Sequence, residues 1–340
     1  MSRRRPFEQH RELARTVAGA LTTVPLEGQT WLVVDDEGDQ LGPALEAAGA
    51  RVRRWWRWAF GGLPARPWPP AGRWQGVVLR LPRDRSVLDM QLHLLCPTLE
   101  AGGRLVAWGA NDEGARSAGG VLEAFFDQVR PVASRAHGRV FEARRPRPAE
   151  HPGPGAPWRR RQPVALPLGG ERKVTLDFVS YPGVFAGGGL DEGTALLCSV
   201  LGDLRLAGNV LDFACGAGMI AAAVRRLCPA ATITGLEVDA LALEAAALNV
   251  PDAEWLLSDG WRALPSQRRF DQILSNPPVH RGREEDHSIL LHLLTRSRRY
   301  LHGGGRLTLV VQGRLGALVR RTLPRARRLA ATARYQVWQA

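Results

Sequence analysis

Along this 340-residue chain, short apolar runs bounded by turn residues alternate with longer stretches whose apolar residues recur three or four apart. The short runs predict buried strands and the longer spacing predicts helices packed on them. In the first half a helix is expected up to about Leu21, with arginines along one side, and then a strand at Trp31-Leu32-Val33-Val34-Asp35. A helix over Gln40 to Ala48 and a second strand over Arg51 to Trp58 follow. Next come a strand from Gly76 to Pro82, a helix through Leu92-His93-Leu94-Leu95 and a strand from Gly102 to Trp108. In the second half, Val210-Leu211-Asp212-Phe213 predicts a strand, Ala214-Cys215-Gly216-Ala217-Gly218 a tight turn, and the alanine-rich stretch after Met219 a helix. Strands are also expected at Thr232 to Leu236, Trp255-Leu256-Leu257-Ser258 and Phe270 to Leu274. Alternating strands and helices imply α/β architecture around a doubly wound sheet.

The two halves echo each other. Leu92-His93-Leu94-Leu95 followed by Gly102-Gly103-Arg104-Leu105 recurs as Leu291-His292-Leu293-Leu294 followed by Gly304-Gly305-Arg306-Leu307. Upstream, Val77 to Pro82 falls where Gln272 to Pro277 falls. Matches of strand, helix and Gly-Gly strand in one order argue for a duplicated domain. The first copy is degenerate, because the turn after its first strand reads Asp35-Asp36-Glu37-Gly38-Asp39, too acidic to cradle a carboxylate. The chain thus divides into a first domain at 1–146, a proline-, glycine- and arginine-rich linker at 147–171 and a second domain at 172–340.

Composition narrows the partners. The formal charge is +13 and the isoelectric point about 11.0, which favours an anionic partner, nucleic acid first among them. Lys173 is the only lysine, so the field is carried by arginine. Trp158-Arg159-Arg160-Arg161 and the cluster Arg53-Arg54-Trp55-Trp56-Arg57-Trp58 read either as stacking and phosphate contacts for RNA or as residues of a solvated linker and a domain surface. The four cysteines form no C-x-x-C pair, and neither a metal site nor a disulfide framework is expected. No apolar run is long enough for a membrane span and the first residues lack a signal peptide's apolar core, so a cytoplasmic protein is expected.

The candidate chemistry starts at the glycine turn. A strand, a turn with Gly216 and Gly218 and then a helix bring bare backbone and free N–H groups to a ligand, as a nucleotide or nucleoside requires. Gly216, Gly218 and Ala221 also satisfy a dinucleotide fingerprint, with Glu237 about 20 residues on, so NAD remains open on this turn alone. Ser275-Asn276-Pro277-Pro278, at the end of another predicted strand, discriminates: a dehydrogenase has no use for it.

In this order the glycine turn, Glu237, Asp259 and Asn276-Pro277-Pro278 resemble the AdoMet-dependent amino-methyltransferases of the doubly wound, Rossmann-like class I fold. Together with Tyr181-Pro182-Gly183-Val184-Phe185, Gly189-Leu190-Asp191 and Val279-His280-Arg281-Gly282, they resemble more narrowly the bacterial small-subunit ribosomal RNA guanine-N2 methyltransferases, from about Val174 onward. That family pairs a cofactor-free first half with an active second half. It usually carries an aromatic residue where this chain has Val279.

The resemblance implies S-adenosyl-L-methionine as cofactor, held by Asp212, Ala214, Cys215, Gly216, Gly218, Glu237, Val238, Asp259, Gly260 and Asn276. Glu237 is expected to accept from the ribose hydroxyls, Asp259 from the adenine amino group, and Asp212 to orient the methionine ammonium or the turn itself. Asn276, Pro277 and Pro278 form the catalytic set, with the Asn276 side-chain oxygen and the Pro277 carbonyl holding the target amine. Phe185, Val279 and His280 are the substrate candidates, and Trp261 is a further candidate for the missing stacking face. The expected partner is ribosomal RNA or the small ribosomal subunit, and the expected state a monomer. Another nucleobase, large-subunit RNA, a protein glutamine amide and a non-catalytic RNA-binding homologue are the alternatives.

Overall fold

The run at 31–34 is buried on both sides as β1 (Thr30–Val34) in the computed structural model, which describes residues 6–23, 25–148, 152–278, 280–281, 284–285 and 287–340. The chain forms two units. One runs to Trp58 and from Pro64 to Trp158, and the other joins Ala59–Leu63 to Arg159–Ala340.

In the first unit, α1 (Pro6–Leu21), β1, α2 (Leu41–Ala47), β2 (Arg51–Trp55), β3 (Trp74–Arg80), α3 (Arg85–Leu95), β4 (Leu99–Ala110), α4 (Ala118–Leu122), β5 (Phe126–Arg135) and β6 (Gly138–Pro146) follow in order. The sheet order is β2-β1-β3-β4-β6-β5, parallel from β2 to β4 and antiparallel at the far edge. The second predicted strand stops at Trp55, and the Arg-Trp cluster is largely core: Trp55, Trp56 and Arg57 are 2%, 6% and 1% exposed. Trp56 Nε1 donates to the Asp36 carbonyl at 2.9 Å, and the Arg57 N–H to Asp35 Oδ1 at 2.9 Å. Trp158 packs edge-on against His93, 5.5 Å between ring centroids.

The second unit opens with a hairpin, β7 (Arg160–Pro167) against β8 (Lys173–Ser180). Part of the stretch expected as linker, Arg160–Pro167, is therefore a paired strand. Its proline and arginine content suits a short two-stranded ribbon as well as a linker. Then come α5 (Glu192–Leu201), β9 (Asn209–Phe213), α6 (Met219–Leu227), β10 (Thr232–Glu237), α7 (Ala240–Asn249), β11 (Glu254–Leu257), β12 (Phe270–Ser275), the short pair β13 (His280–Arg281) and β14 (Glu284–Glu285), α8 (Ser288–Arg296), β15 (Leu301–Gln312), α9 (Gly316–Thr322), β16 (Arg327–Ala331) and β17 (Tyr335–Gln339). The main sheet runs β11-β10-β9-β12-β15-β17-β16, antiparallel only at its last two pairings. Successive residues feed opposite faces, so that Val210, Leu274 and Val310 enter one core while Leu211, Ile273 and Leu309 enter the other.

The echo in the sequence is an echo in register. Gly76 pairs with Arg104 and Val77 with Leu105, just as Gln272 pairs with Arg306 and Ile273 with Leu307, and both ladders slip one step earlier, between Trp74 and Gly76 and between Phe270 and Gln272. The second glycine of each Gly-Gly pair sits inside this slip. A Cβ on Gly103 would come within 2.9 Å of the Glu100 carbonyl oxygen, and one on Gly305 within 3.0 Å of that of Phe270. Crowding against fixed backbone requires glycine at both places. Gly103→Ala and Gly305→Ala should each destabilise their unit by about 1–3 kcal/mol. Gly120→Ala, on an exposed helical site with nothing within 4 Å of the new methyl, should be neutral or stabilise by about 0.5–1 kcal/mol. Thermal and urea unfolding of the three variants checks the order.

Candidate active site

The site is built where the sheet order reverses. β9 and β12 are parallel neighbours, Leu274 opposite Asp212 and Ser275 opposite Phe213, while the chain leaves β9 for one side and β12 for the other. In a doubly wound sheet this places a crevice beyond the carboxyl ends of the two strands. The glycine turn follows β9 and Asn276-Pro277-Pro278 follows β12, so residues about 60 apart in sequence line one opening. Ser275 Oγ donates to the Phe213 carbonyl at 2.7 Å and locks the two strand ends together.

Asp212 is buried, and its Oδ2 accepts from the Ala221 N–H at 3.0 Å, tying β9 to the first turn of α6. Its other oxygen, Oδ1, is buried without a hydrogen-bond partner. Burial pushes this carboxyl up to about 7, and the charge of Glu237 adds to the shift. A buried, unpartnered carboxylate oxygen beside a ligand turn is costly unless a cation or donor meets it, so the residue fits the ammonium of an amino acid.

Glu237 ends β10, half-buried, and is held by backbone on both sides. Its Oε2 accepts from the Gly216 N–H at 2.8 Å, and its Oε1 from Val238 at 2.8 Å and Asp239 at 3.1 Å. Desolvation, followed by the nearby Asp239, raises its pKa. With two N–H groups on Oε1 and one on Oε2, the acceptor capacity left for a diol lies on Oε2. The turn is strained as well as bonded: Ala214 has φ 59° and Gly216 φ 54°. A Cβ at Gly216 would point into open space, so glycine serves the backbone conformation there and leaves room for a ligand. Gly218 answers a different need, since its Cβ would lie 3.1 Å from Trp255 and 3.2 Å from Ala246; it lets α6 and α7 approach. Cys215 is buried with its thiol pushed well above the usual range by desolvation, the state of a small packing residue rather than a redox centre.

Asp259 caps no helix. It stands in the loop after β11, and its Oδ2 accepts from the Gly61 N–H at 2.8 Å, while the Ala59 N–H donates to the Val238 carbonyl at 2.9 Å. Residues 59–63, part of the second unit, thus lie along the Val238 and Asp259 side of the opening. Gly260 follows with φ 61° and open space around it.

Asn276 is held through its amide nitrogen. Nδ2 donates to Thr194 Oγ1 at 2.9 Å and to Asp191 Oδ1 and Oδ2 at 3.2 and 3.3 Å. A carboxylate only accepts, so the amide orientation is decided by its partner, and Oδ1 is the group left for an incoming N–H. Asp191 also caps α5 through the Gly193 and Thr194 N–H groups. Pro277 is buried and Pro278 exposed. Phe185 is 67% exposed, ahead of a left-handed turn at Ala186 and Gly187. His280 stands on β13, with its side chain outside the described residues, and Val279 lies outside them altogether. Trp261 is not available as a stacking face: it is 6% exposed, stacked on Tyr300 at 4.5 Å, with Nε1 bonded to the His292 carbonyl.

Sequence reasoning missed Thr194 and the side-chain role of Asp191, although Asp191-Glu192-Gly193-Thr194 ahead of a leucine-rich run carries a helix-start signal. It also missed residues 59–63, for which there is no local signal, because Gly61 and Asp259 are 198 positions apart. Among the described residues no His, Cys, Asp and Glu cluster suited to a metal ion occurs, and no helix is long and apolar enough to cross a membrane.

The methyltransferase small domain model matches residues 175–339, and the methyltransferase small domain N-terminal model matches residues 23–159. The Ribosomal RNA small subunit methyltransferase C of Pseudomonas aeruginosa (strain LESB58) is 36% identical over 278 residues, 80% of each chain. That of Hahella chejuensis (strain KCTC 2396) is 31% identical over 274 residues, 78% of this chain and 75% of its own. Among solved structures, the T. thermophilus 16S rRNA N2 G1207 methyltransferase (RsmC), in complex with AdoMet and guanosine, matches with TM-score 0.82 at 24% identity, over 97% of this chain and 91% of that one, and so shares the fold. With both domain models matched in order and four-fifths of a curated relative aligned above 30% identity, the chain belongs to the ribosomal RNA small subunit methyltransferase C family.

Proposed function

We propose that the second unit transfers a methyl group from S-adenosyl-L-methionine to the exocyclic N2 amine of a guanine in small-subunit ribosomal RNA. The observation that carries this reading is the Asn276 amide, whose nitrogen is committed to Asp191 and Thr194 so that its oxygen is left to accept from an amine. The orphaned Asp212 Oδ1, the Glu237 carboxylate and the strained turn at Ala214 and Gly216 suit the ammonium, diol and chain of the cofactor. Val238, Gly260 and the Asp259 oxygen not engaged by Gly61 are the residues that would hold the adenine, Asp259 as acceptor for its amino group.

When bound, AdoMet supplies a methyl carbon made electrophilic by the adjoining sulfonium. The protein's part is to hold the nitrogen in line and keep water out. Asn276 Oδ1 and the Pro277 carbonyl each accept one N–H of the amine, which turns its lone pair away from ring conjugation. Proline is suited to this because it fixes the turn and has no N–H of its own to compete. The nitrogen sheds a proton to water after the transfer, and no side chain has to act as a strong base. Phe185, exposed and apolar, is a stacking face for the target base.

The first unit binds no cofactor in this reading and serves RNA binding or stability. Its corresponding turn is filled from within: Asp36 Oδ2 accepts from the Gln40 and Leu41 N–H groups at 2.8 Å, and Asp35 is bonded to Arg57 and Gln91. The protein works as a cytoplasmic monomer on RNA or on the small subunit.

Asn276→Ala should lower methyl transfer to small-subunit ribosomal RNA by about 10²-fold or more with little change in RNA affinity, since the contact tightens in the transition state. Labelled-methyl incorporation followed by nucleoside analysis reads the rate and the position, and a wild-type rate in this variant would refute the site. The second test concerns pH. The raised Asp212 pKa means that the cofactor-free fold favours the neutral acid: stability from this group is present at low pH and lost as pH rises through about 7. A bound ammonium favours the carboxylate, so binding releases a proton below that value. AdoMet affinity should rise up to about tenfold per pH unit from about pH 6 toward pH 7, and Asp212→Asn should flatten the dependence; calorimetry in buffers of different ionisation heat checks both.

A further inference from the structure

The family reading leaves unused a one-sided run of charge at the end of the chain. From Gly313 to Ala340 there are seven arginines and no acidic residue, against a formal excess of +13 for the whole protein. These residues form α9, β16 and β17 at one edge of the second unit, and between them lies a cleft of about 400 Å³ lined by Arg314, Arg320, Arg328, Ala317, Gln336 and Trp338. Arg320 sits over the Trp338 ring, 5.9 Å from its centroid, so one face of its guanidinium rests on an apolar wall. Among the described residues neither Arg320 nor Arg328 has a carboxylate partner.

The cleft is joined to the site by bonded steps. The Gly313 N–H, at its rim, donates to the Arg334 carbonyl at 2.8 Å, and the Arg334 side chain pairs with Glu192, Nε to Oε2 at 2.7 Å. Glu192 follows Asp191, whose carboxylate holds Asn276. The cleft thus begins at the carboxyl end of β15, which runs parallel to β12, and so lies along the sheet edge at which β12 presents Asn276.

We propose that the cleft between α9 and the β16–β17 strands is a phosphate subsite for the RNA strand flanking the target nucleotide. This rests on the RNA-methyltransferase reading. Guanidinium forks grip phosphate oxygens in pairs, and a concave wall of one sign concentrates the field on a phosphodiester. Contacts of this kind hold register and orientation without reading bases.

The test uses the full-length chain and an in vitro transcript of small-subunit ribosomal RNA. Arg320→Gln with Arg328→Gln should weaken RNA binding about tenfold near 0.1 M salt and make the plot of log affinity against log salt shallower by about 1.4–1.8, two contacts at about 0.7–0.9 each. AdoMet affinity, melting temperature and turnover at saturating RNA should stay at wild-type values, and the Arg320→Lys, Arg328→Lys pair should keep most of the slope. Ala317→Glu, which adds a carboxylate to the exposed rim and removes no arginine, should weaken RNA binding in the same direction. Wild-type affinity and slope in the glutamine pair and in Ala317→Glu would overturn the subsite. So would a loss seen only with assembled small subunits, which would assign the cleft to a protein partner. Methyl transfer by the wild type alongside unchanged RNA binding in the variants would remove the cleft alone. Salt-linked RNA binding through the cleft with no methyl transfer by the wild type would remove the methyltransferase reading and leave the cleft.

Discussion

The parallel pairing of β9 with β12 governs the rest of the second unit. Once Leu211 lies beside Ile273 and Phe213 beside Ser275, the two strands must end together and their continuations must part, because one chain crosses to each face of the sheet. A crevice is left where they part. Its polar side chains Asp212, Glu237 and Asn276 are tied back to scaffold, to α6, to Gly216 and to Asp191 and Thr194 in turn. The cost is visible in an orphaned buried oxygen on Asp212 and in an alanine with positive φ at position 214. Such departures cluster at sites where a ligand completes the structure.

Duplication explains why a second sheet of nearly the same order exists. The register slip and its glycine recur in both halves because they belong to the sheet, where a Cβ would strike a carbonyl. The strand ends differ because they belong to the site. In the first unit the acidic turn folds onto its own neighbours, Asp36 satisfying the N–H groups that begin α2 and Glu37 pairing with Arg80. A turn that satisfies its own donors has none left over for a ligand.

Arginine does two unlike jobs here. Arg57 is wholly buried and Arg80 and Arg83 converge on the buried Glu113, whose carboxyl they and His10 draw down to about 2; these are structural. Arg320 and Arg328 stand exposed at the α9 and β16–β17 edge, with no carboxylate partner among the described residues. Net charge alone does not separate the two groups.

The strand pattern, the duplication, the glycine turn and the Asn-Pro-Pro end were legible from residue order, since period-two burial and turn chemistry are local properties that residue types express directly. The family followed from the same residues. Which side chains meet was not legible. Arg-Trp runs read as RNA contacts or as surface, and only the packed sheet buried Trp55, Trp56 and Arg57. Trp261 read as a free aromatic until Tyr300, from a distant segment, covered it. Gly61 reaches Asp259, and Asp191 fixes the Asn276 amide, across 198 and 85 residues of chain. Local composition decides what an element is, whereas the partner of a polar group depends on the register and crossing of elements far apart in sequence, and that was settled only when the sheet closed its order around β9 and β12.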